Sequence, residues 1–225
     1  MSELNLAPEL VDRMRRGDPQ ALADVFSHFR QQLGRIVRFR LDYRLAARVS
    51  DSDVLQETFI AAAKRLDHFS NHPEMPPLLW LRLIVGQQLI DLHRRHFKTE
   101  MRDIRKEVSL QQTISPNTSL ALAAKLAGSM VSMTEIVAQA ERIERLETVL
   151  NEMDPIDREV IALRHFEELS NLDTAQVLGI TSSASSKRYL RAMTRLGELM
   201  KQFHTDMGSS DAYKNSHQQQ GPIDE

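Results

Sequence analysis

The residues from Asn171 to Leu196 have types and spacing that could do chemistry on an anionic polymer. Thr181-Ser182-Ser183 opens a helical pattern, and Ser182, Ser183, Ser186, Lys187, Arg188 and Arg191 fall on its outward side. Hydroxyl and cationic groups at the amino end of a helix suit phosphate oxygens, because the backbone N–H groups and the helix dipole there already favour negative charge. Arg and Lys are also the commonest specific readers of guanine in the major groove. A short helix precedes this one, with Leu178-Gly179-Ile180 between them, which is the order of a helix-turn-helix. Gly179 supplies the tight turn, Ala175 leaves room for the crossing, and Leu172, Val177, Leu178 and Ile180 are the expected small core beneath. An ordinary helical hairpin with a solvated basic face has the same spacing.

A second set lies on a helix that begins near Trp80, the chain's only tryptophan, and ends in His93-Arg94-Arg95-His96-Phe97-Lys98. Gln87, Asp91, Arg94 and Lys98 share one polar side of it. A cationic end complements the helix dipole in any case, so a purely structural role fits this pattern as well. His93 and His96 stand three apart, but two arginines lie between them and no further ligand cluster is near, so a metal site is not expected. Asp51, Asp53 and Glu57 lack the glycine and the remaining oxygen ligands of a calcium loop. Asp53, Gln56 and Glu57 are read instead as one exposed helix face. No phosphate loop, nucleophile elbow or paired-acid arrangement stands out, so neither an enzyme nor a cofactor is expected.

The elements that must hold these residues are helices. Aromatic residues make up only 5% of the 225, and Gly and Pro number 8 each, which favours an all-α fold of one or two small domains. There is no cysteine, which excludes disulfides and thiolate metal sites. The amino terminus has no apolar core followed by a small-residue cleavage site, and no apolar run approaches a membrane span, so a cytoplasmic protein is expected.

The pattern predicts a short helix ending at Gly17 and a second one started by Asp18-Pro19. A helix capped by Ser50 or Asp51 should run through Phe69, and the most apolar helix should run from Leu78 to Phe97. From Thr99 to Val131 the periodicity degrades into a linker with at most a short helix. Ser132 and Glu135 form a candidate capping box for the next helix, and Asp154-Pro155 ends that helix and begins another. The tail beyond His204 is polar and is expected to be disordered.

The net charge of −2 hides strong segregation. Seven Lys/Arg face three acids between Arg82 and Lys106, and five face one between Lys187 and Lys201, which makes two basic patches. Ten acids face four bases between Glu135 and Glu168, and Asp51 to Ile60 carries three acids and no base, so acidic surfaces are expected beside the basic ones.

Asp51-Ser-Asp-Val-Leu-Gln-Glu-Thr-Phe59, Trp80-Leu-Arg-Leu-Ile84 and Asp91-Leu-His-Arg-Arg95 resemble region 2 of the sigma-70 family of RNA polymerase sigma factors. Arg158-Glu-Val-Ile-Ala-Leu-Arg-His-Phe166, Glu168-Leu-Ser170 and Ala175-Gln-Val-Leu-Gly-Ile180 resemble region 4 of the same family. The chain is similar to the extracytoplasmic-function group and, in its region 2 and long linker, to the planctomycete-type subgroup.

The resemblance implies two small helical domains: a region 2 bundle over 1–98 and a region 4 helix-turn-helix over 132–204, with a linker over 99–131 and a disordered tail over 205–225. It implies that Asp53, Gln56 and Glu57 contact core RNA polymerase. Trp80, Gln87, Arg94, Arg95 and Lys98 would act at the minus-ten promoter element, and Ser182, Ser183, Ser186, Lys187, Arg188 and Arg191 at the minus-thirty-five element. The partners implied are core RNA polymerase and promoter DNA, with an anti-sigma factor as a further candidate. The alternative is a helix-turn-helix regulator that binds DNA without polymerase. Ser185 stands where the family usually has an apolar residue, and Gln87 where Asn is common.

Overall fold

The computed structural model describes residues 6–96, 117–128 and 136–217, and every element among them is a helix. The first half is built from α1 (Pro8–Arg15), α2 (Pro19–Arg40), α3 (Asp51–Ala63), α4 (Leu66–Ser70) and α5 (Pro77–His96). The second half is built from α6 (Thr118–Ala127), α7 (Ile136–Asn151), α8 (Pro155–Ile161), a π-helical turn (Ala162–Phe166), α9 (Asn171–Leu178) and α10 (Ser182–His217).

The helix starts follow the local chemistry of the chain. Asp18 accepts hydrogen bonds from the backbone N–H groups of Gln20 (2.9 Å) and Ala21 (3.3 Å), and Pro19 occupies a first-turn position whose missing N–H costs nothing. Ser50 and Asp53 form a reciprocal capping box at α3. Asp154 caps α8 by accepting from the N–H of Ile156, and Ser170 caps α9 by accepting from the N–H of Asp173.

The first core is formed by Leu22, Val25, Phe29, Leu33, Ile36 and Val37 of α2 against Val54 and Leu55 of α3 and Leu81, Ile84 and Val85 of α5. The helix expected from Asp51 through Phe69 is instead two helices. Arg65 leaves the helical conformation (φ −119°, ψ 19°), and the break lets Leu66 and Phe69 of α4 turn into the core while α4 packs on α1.

Residues 118–127, which the sequence places in a linker, form α6, and Leu122 and Ala123 are fully buried against α7. The second core joins them to Ile143, Leu146, Leu150, Val160, Ile161, Ala192, Leu196 and Leu199. Residues 132 and 135, the candidate capping box, lie outside the described residues. The expected disorder after His204 is replaced, as far as His217, by a continuation of α10. Between Ser182 and His217 there is no proline, and neither Gly197 nor Gly208 stops the helix.

The two halves are not separate bodies. Leu163, Leu169 and Val177 of the second half are buried in the first core, and Phe39 of α2 is buried in the second. Phe39 stacks on Phe166, with ring centroids 4.7 Å apart and planes 11° apart.

Candidate nucleic-acid interface

The turn between α9 and α10 is built as its residues require. Gly179 sits in the left-handed region (φ 65°, ψ 32°), which a side chain would disfavour, and its N–H and that of Ile180 close the end of α9 onto Gln176 and Ala175. Asn171 at the start of α9 donates to the backbone carbonyl (2.8 Å) and hydroxyl (2.6 Å) of Ser182, pinning the first turn of α10 to the first turn of α9. Thr181 caps α10 by accepting from the N–H of Ala184.

Ala175 is buried, and Val177, expected in a small core beneath the turn, is buried in the first core instead. Leu172 is not part of that core. It is 70% exposed, because Thr174 and Ala175 take the inward side of this short helix. Ser185 and Thr174 are fully buried, and neither hydroxyl has a hydrogen-bond partner among the described residues.

Five of the six residues expected on the reading face of α10 are displayed there: Ser182, Ser183, Ser186, Lys187 and Arg191 are exposed. Arg188 is not displayed in the same way. It is half-buried, and its guanidinium donates to Asp157 at 2.8 Å and lies 3.7 Å from Asp154, so it ties α10 to α8.

On α5 the residues separate by depth. Trp80, expected at the DNA surface, is 3% exposed and packs against Phe69 with ring centroids 5.0 Å apart, so it has no free face on which a base could stack. The apolar run around it, from Leu78 to Leu81, is buried on all sides, and the indole follows it inward. Arg94 and Arg95 are exposed, and Gln87, two turns before Arg94 on the same side, is half-buried. Gln87 accepts from Arg65, Arg94 lies 3.7 Å from Asp91, and Arg95 donates to the Asp91 carbonyl. Lys98 lies outside the described residues. His93 turns away to Asp42 (3.4 Å), and among the described residues no group of three or more His, Cys, Asp or Glu side chains could hold a metal ion.

Asp53, Gln56 and Glu57 are all exposed near the start of α3. Asp53 also has a local duty. Its carboxylate accepts from the N–H and hydroxyl of Ser50 at 3.3 and 2.8 Å, while its own N–H is capped by the same hydroxyl.

The most concentrated charge lies where the sequence suggested surface. Arg40 of α2 and Arg82 of α5, each 7% exposed in the side chain, meet Glu159 of α8 and Glu167 beyond the π-helical turn, both fully buried. Arg40 reaches Glu159 and Glu167 at 2.6 Å, while Arg82 reaches Glu167 at 2.6 Å and Glu159 at 3.2 Å. The Thr118 hydroxyl accepts from Arg40 and donates to Glu159. Burial opposes the charge on Arg40, but Glu159 and Glu167 outweigh it and hold the guanidinium's pKa above its ordinary value. Burial likewise opposes the charge on Glu167, and Arg40 and Arg82 outweigh it, keeping the carboxyl below the usual range.

The sequence carries one sign of this cluster. Arg82 and Glu159 interrupt apolar stripes, with Leu78, Leu79 and Val85 around one and Ile156, Val160 and Leu163 around the other. A charge on an apolar stripe calls for a buried partner, but the stripe does not say which one.

The family described as Sigma-70, region 4 matches residues 143–196, which include Glu159, Glu167 and the α9–α10 turn. The chain is similar to the RNA polymerase sigma factor NccH of Alcaligenes xylosoxydans xylosoxydans, at 27% identity over 205 residues that cover 89% of this chain and 97% of that protein. It is 30% identical over 148 residues to the RNA polymerase sigma factor CnrH of Cupriavidus metallidurans, covering 66% of this chain and 72% of that one. It is 26% identical over 192 residues to the ECF RNA polymerase sigma factor BldN of Streptomyces coelicolor, covering 85% and 65% respectively.

Proposed function

The chain belongs to the extracytoplasmic-function group of the sigma-70 family of RNA polymerase sigma factors, and on that premise we propose how its surfaces divide the work of directing transcription initiation. As a sigma factor it binds core RNA polymerase and promoter DNA. The observation that carries the assignment of surfaces is the face of α10, where Ser182, Ser183, Ser186, Lys187 and Arg191 stand exposed beside the Gly179 turn. That helix reads the minus-thirty-five element in the major groove, the hydroxyls and cations contacting phosphates and base edges.

Gln87, Arg94 and Arg95 of α5 act at the minus-ten element. Arg188 and Trp80 support these two faces from behind, Arg188 by fixing α10 to α8 and Trp80 by fixing α5 to α4. Asp53, Gln56 and Glu57 form an acidic and polar patch that meets a basic surface of core polymerase, which favours fast and oriented association. The protein catalyses no reaction of its own and works in the cytoplasm, where polymerase and promoter are. Among the described residues no helix is long and apolar enough to cross a membrane. Its region 2 and the long stretch before region 4 support a place in the planctomycete-type subgroup, and an anti-sigma factor is a further partner of this class.

Run-off transcription with purified core polymerase on a promoter library tests the assignment. The expected result is promoter-specific transcript that core alone does not make, with co-purification of chain and core. No binding to core and no gain in transcription would overturn it.

A further inference from the structure

Arg65 stands at the break between α3 and α4, where the chain leaves the helical conformation, and its side chain is exposed. Across 22 residues of sequence its Nη1 donates to Oε1 of Gln87 on α5. Gln87 is one methylene longer than the Asn common at this position, and that length lets its carboxamide meet a side chain from outside its own helix.

The bond fixes which way the carboxamide faces. A guanidinium has only donors, so it is met by the carbonyl oxygen of an amide and not by its NH2 group. With Oε1 turned to Arg65, Nε2 is the end of Gln87 left to act on anything outside. It makes no hydrogen bond among the described residues, and it is not sealed from water. A glutamine with both ends free offers a donor and an acceptor side by side, which suits N6 and N7 of adenine. The Arg65–Gln87 pair offers donors only, the Nε2–H of Gln87 and the remaining N–H groups of the guanidinium. Two donors call for two acceptors, and the base edge that carries two in the major groove is guanine, at O6 and N7.

A second observation marks the same place. Gly86 precedes Gln87 in the interior of α5, where glycine is among the least favourable residues. Packing does not require it, because a Cβ at this position would meet nothing within 4 Å. A glycine that the fold itself does not need leaves bare backbone beside the pair, open to close approach from outside the chain.

We propose, on the reading that places α5 at the minus-ten element, that Arg65 is a positioning and specificity residue of that face. By holding Oε1 of Gln87 it makes the pair a reader of guanine, through O6 and N7, where an unheld Gln87 would read adenine. Arg94 and Arg95, exposed further along α5, supply cations for neighbouring phosphates and carry no base preference of their own.

Holoenzyme assembled from core polymerase and the full chain is offered promoters randomised across the minus-ten element, and the transcripts are sequenced. The unsubstituted chain should select guanine, on one strand or the other, at one position. Arg65→Met, which keeps the stem but donates nothing, should shift that position toward adenine and change the guanine-to-adenine ratio by about tenfold. Arg65→Lys, which still donates to Oε1, should keep guanine. With the unsubstituted chain, 7-deazaguanine at that position lacks N7 and should lower transcription several-fold, whereas inosine keeps O6 and N7 and should not. These base analogues decide the contact even if a variant fails to fold. An element without a selected guanine, or a guanine that 7-deazaguanine replaces without loss, overturns the guanine contact. The same selection by Arg65→Met as by the unsubstituted chain, or an equal loss on every template, overturns the role of Arg65. If Gln87→Ala still alters minus-ten selection in those cases, the reading of α5 stands without the pair. If Gln87→Ala and Arg94→Ala both leave that selection unchanged, the reading of α5 falls as well.

Discussion

Arg40 Nη2 donates to Glu159 Oε1 at 2.6 Å across 119 residues of sequence, and the two side chains are all but sealed from water. This pair, with Arg82 and Glu167, makes the relation between the halves specific. Apolar contacts such as Phe39 on Phe166 could tolerate small sliding, whereas bidentate guanidinium–carboxylate geometry cannot.

Acid should dissolve this relation from the carboxylate side. The pKa of Glu167 is held below its ordinary value in the folded chain. A depressed carboxyl contributes stability at pH values above the unfolded pKa, about 4.3, and loses it as pH falls through the folded value. The midpoint of thermal unfolding should be flat from pH 7 to about 5 on this account and fall below about 4.3. In Glu167→Gln the neutral-pH midpoint should be lower and the acid limb shallower. Parallel curves for the two proteins would show that Glu167 is not responsible.

Trp80 and Arg94 should fail in different ways. Trp80→Ala removes a buried indole from its contact with Phe69 and should cost about 3–5 kcal/mol of stability in urea titration. Arg94→Ala, at an exposed position, should leave stability within about 0.5 kcal/mol and reduce opening of the minus-ten element, read by permanganate footprinting.

The cations of α10 should separate likewise. Lys187→Ala and Arg191→Ala should each weaken promoter binding and lower the slope of log affinity against log salt by about 1 if each contacts a phosphate. Arg188→Ala should instead lower the unfolding midpoint, since it removes the bond to Asp157. An unchanged salt slope in the first two variants would place their side chains away from the DNA backbone.

On α3, Glu57→Ala and Gln56→Ala should slow association with core polymerase while leaving the melting temperature unchanged. Asp53→Ala should do both, because it also removes half of a capping box, a loss of about 1 kcal/mol. Surface plasmon resonance against immobilised core, alongside thermal melts, separates the two effects.

Ser185→Ala should raise stability by about 1 kcal/mol, since the buried hydroxyl has no partner among the described residues and the change removes an unmet polar group without a large cavity. A loss of stability on equilibrium unfolding would mean that the hydroxyl is satisfied in solution.

Much of this was legible in the chain because it depends on neighbours in sequence. Asp18-Pro19, Ser50, Asp154-Pro155 and Gly179 each mark a helix end through contacts no more than a few residues away. The same locality made the exposed face of α10 readable, since side chains three and four apart share a side whatever the helix packs against. Trp80, Leu172 and Arg188 were misplaced for the converse reason. Periodicity gives a helix its sides, but how deeply each is buried depends on which other helices arrive.

By itself the sequence determined the all-α class, the helix-turn-helix, the exposed faces of α3 and α10 and, through its motifs, the family. Tertiary structure alone decided that residues 118–127 belong to a core, that Trp80 is internal, and that two arginines and two glutamates from opposite halves bury one another. Those outcomes rest on pairings between residues up to 127 apart. A charged side chain carries no mark of its partner, and only folding brings the two together where water is excluded.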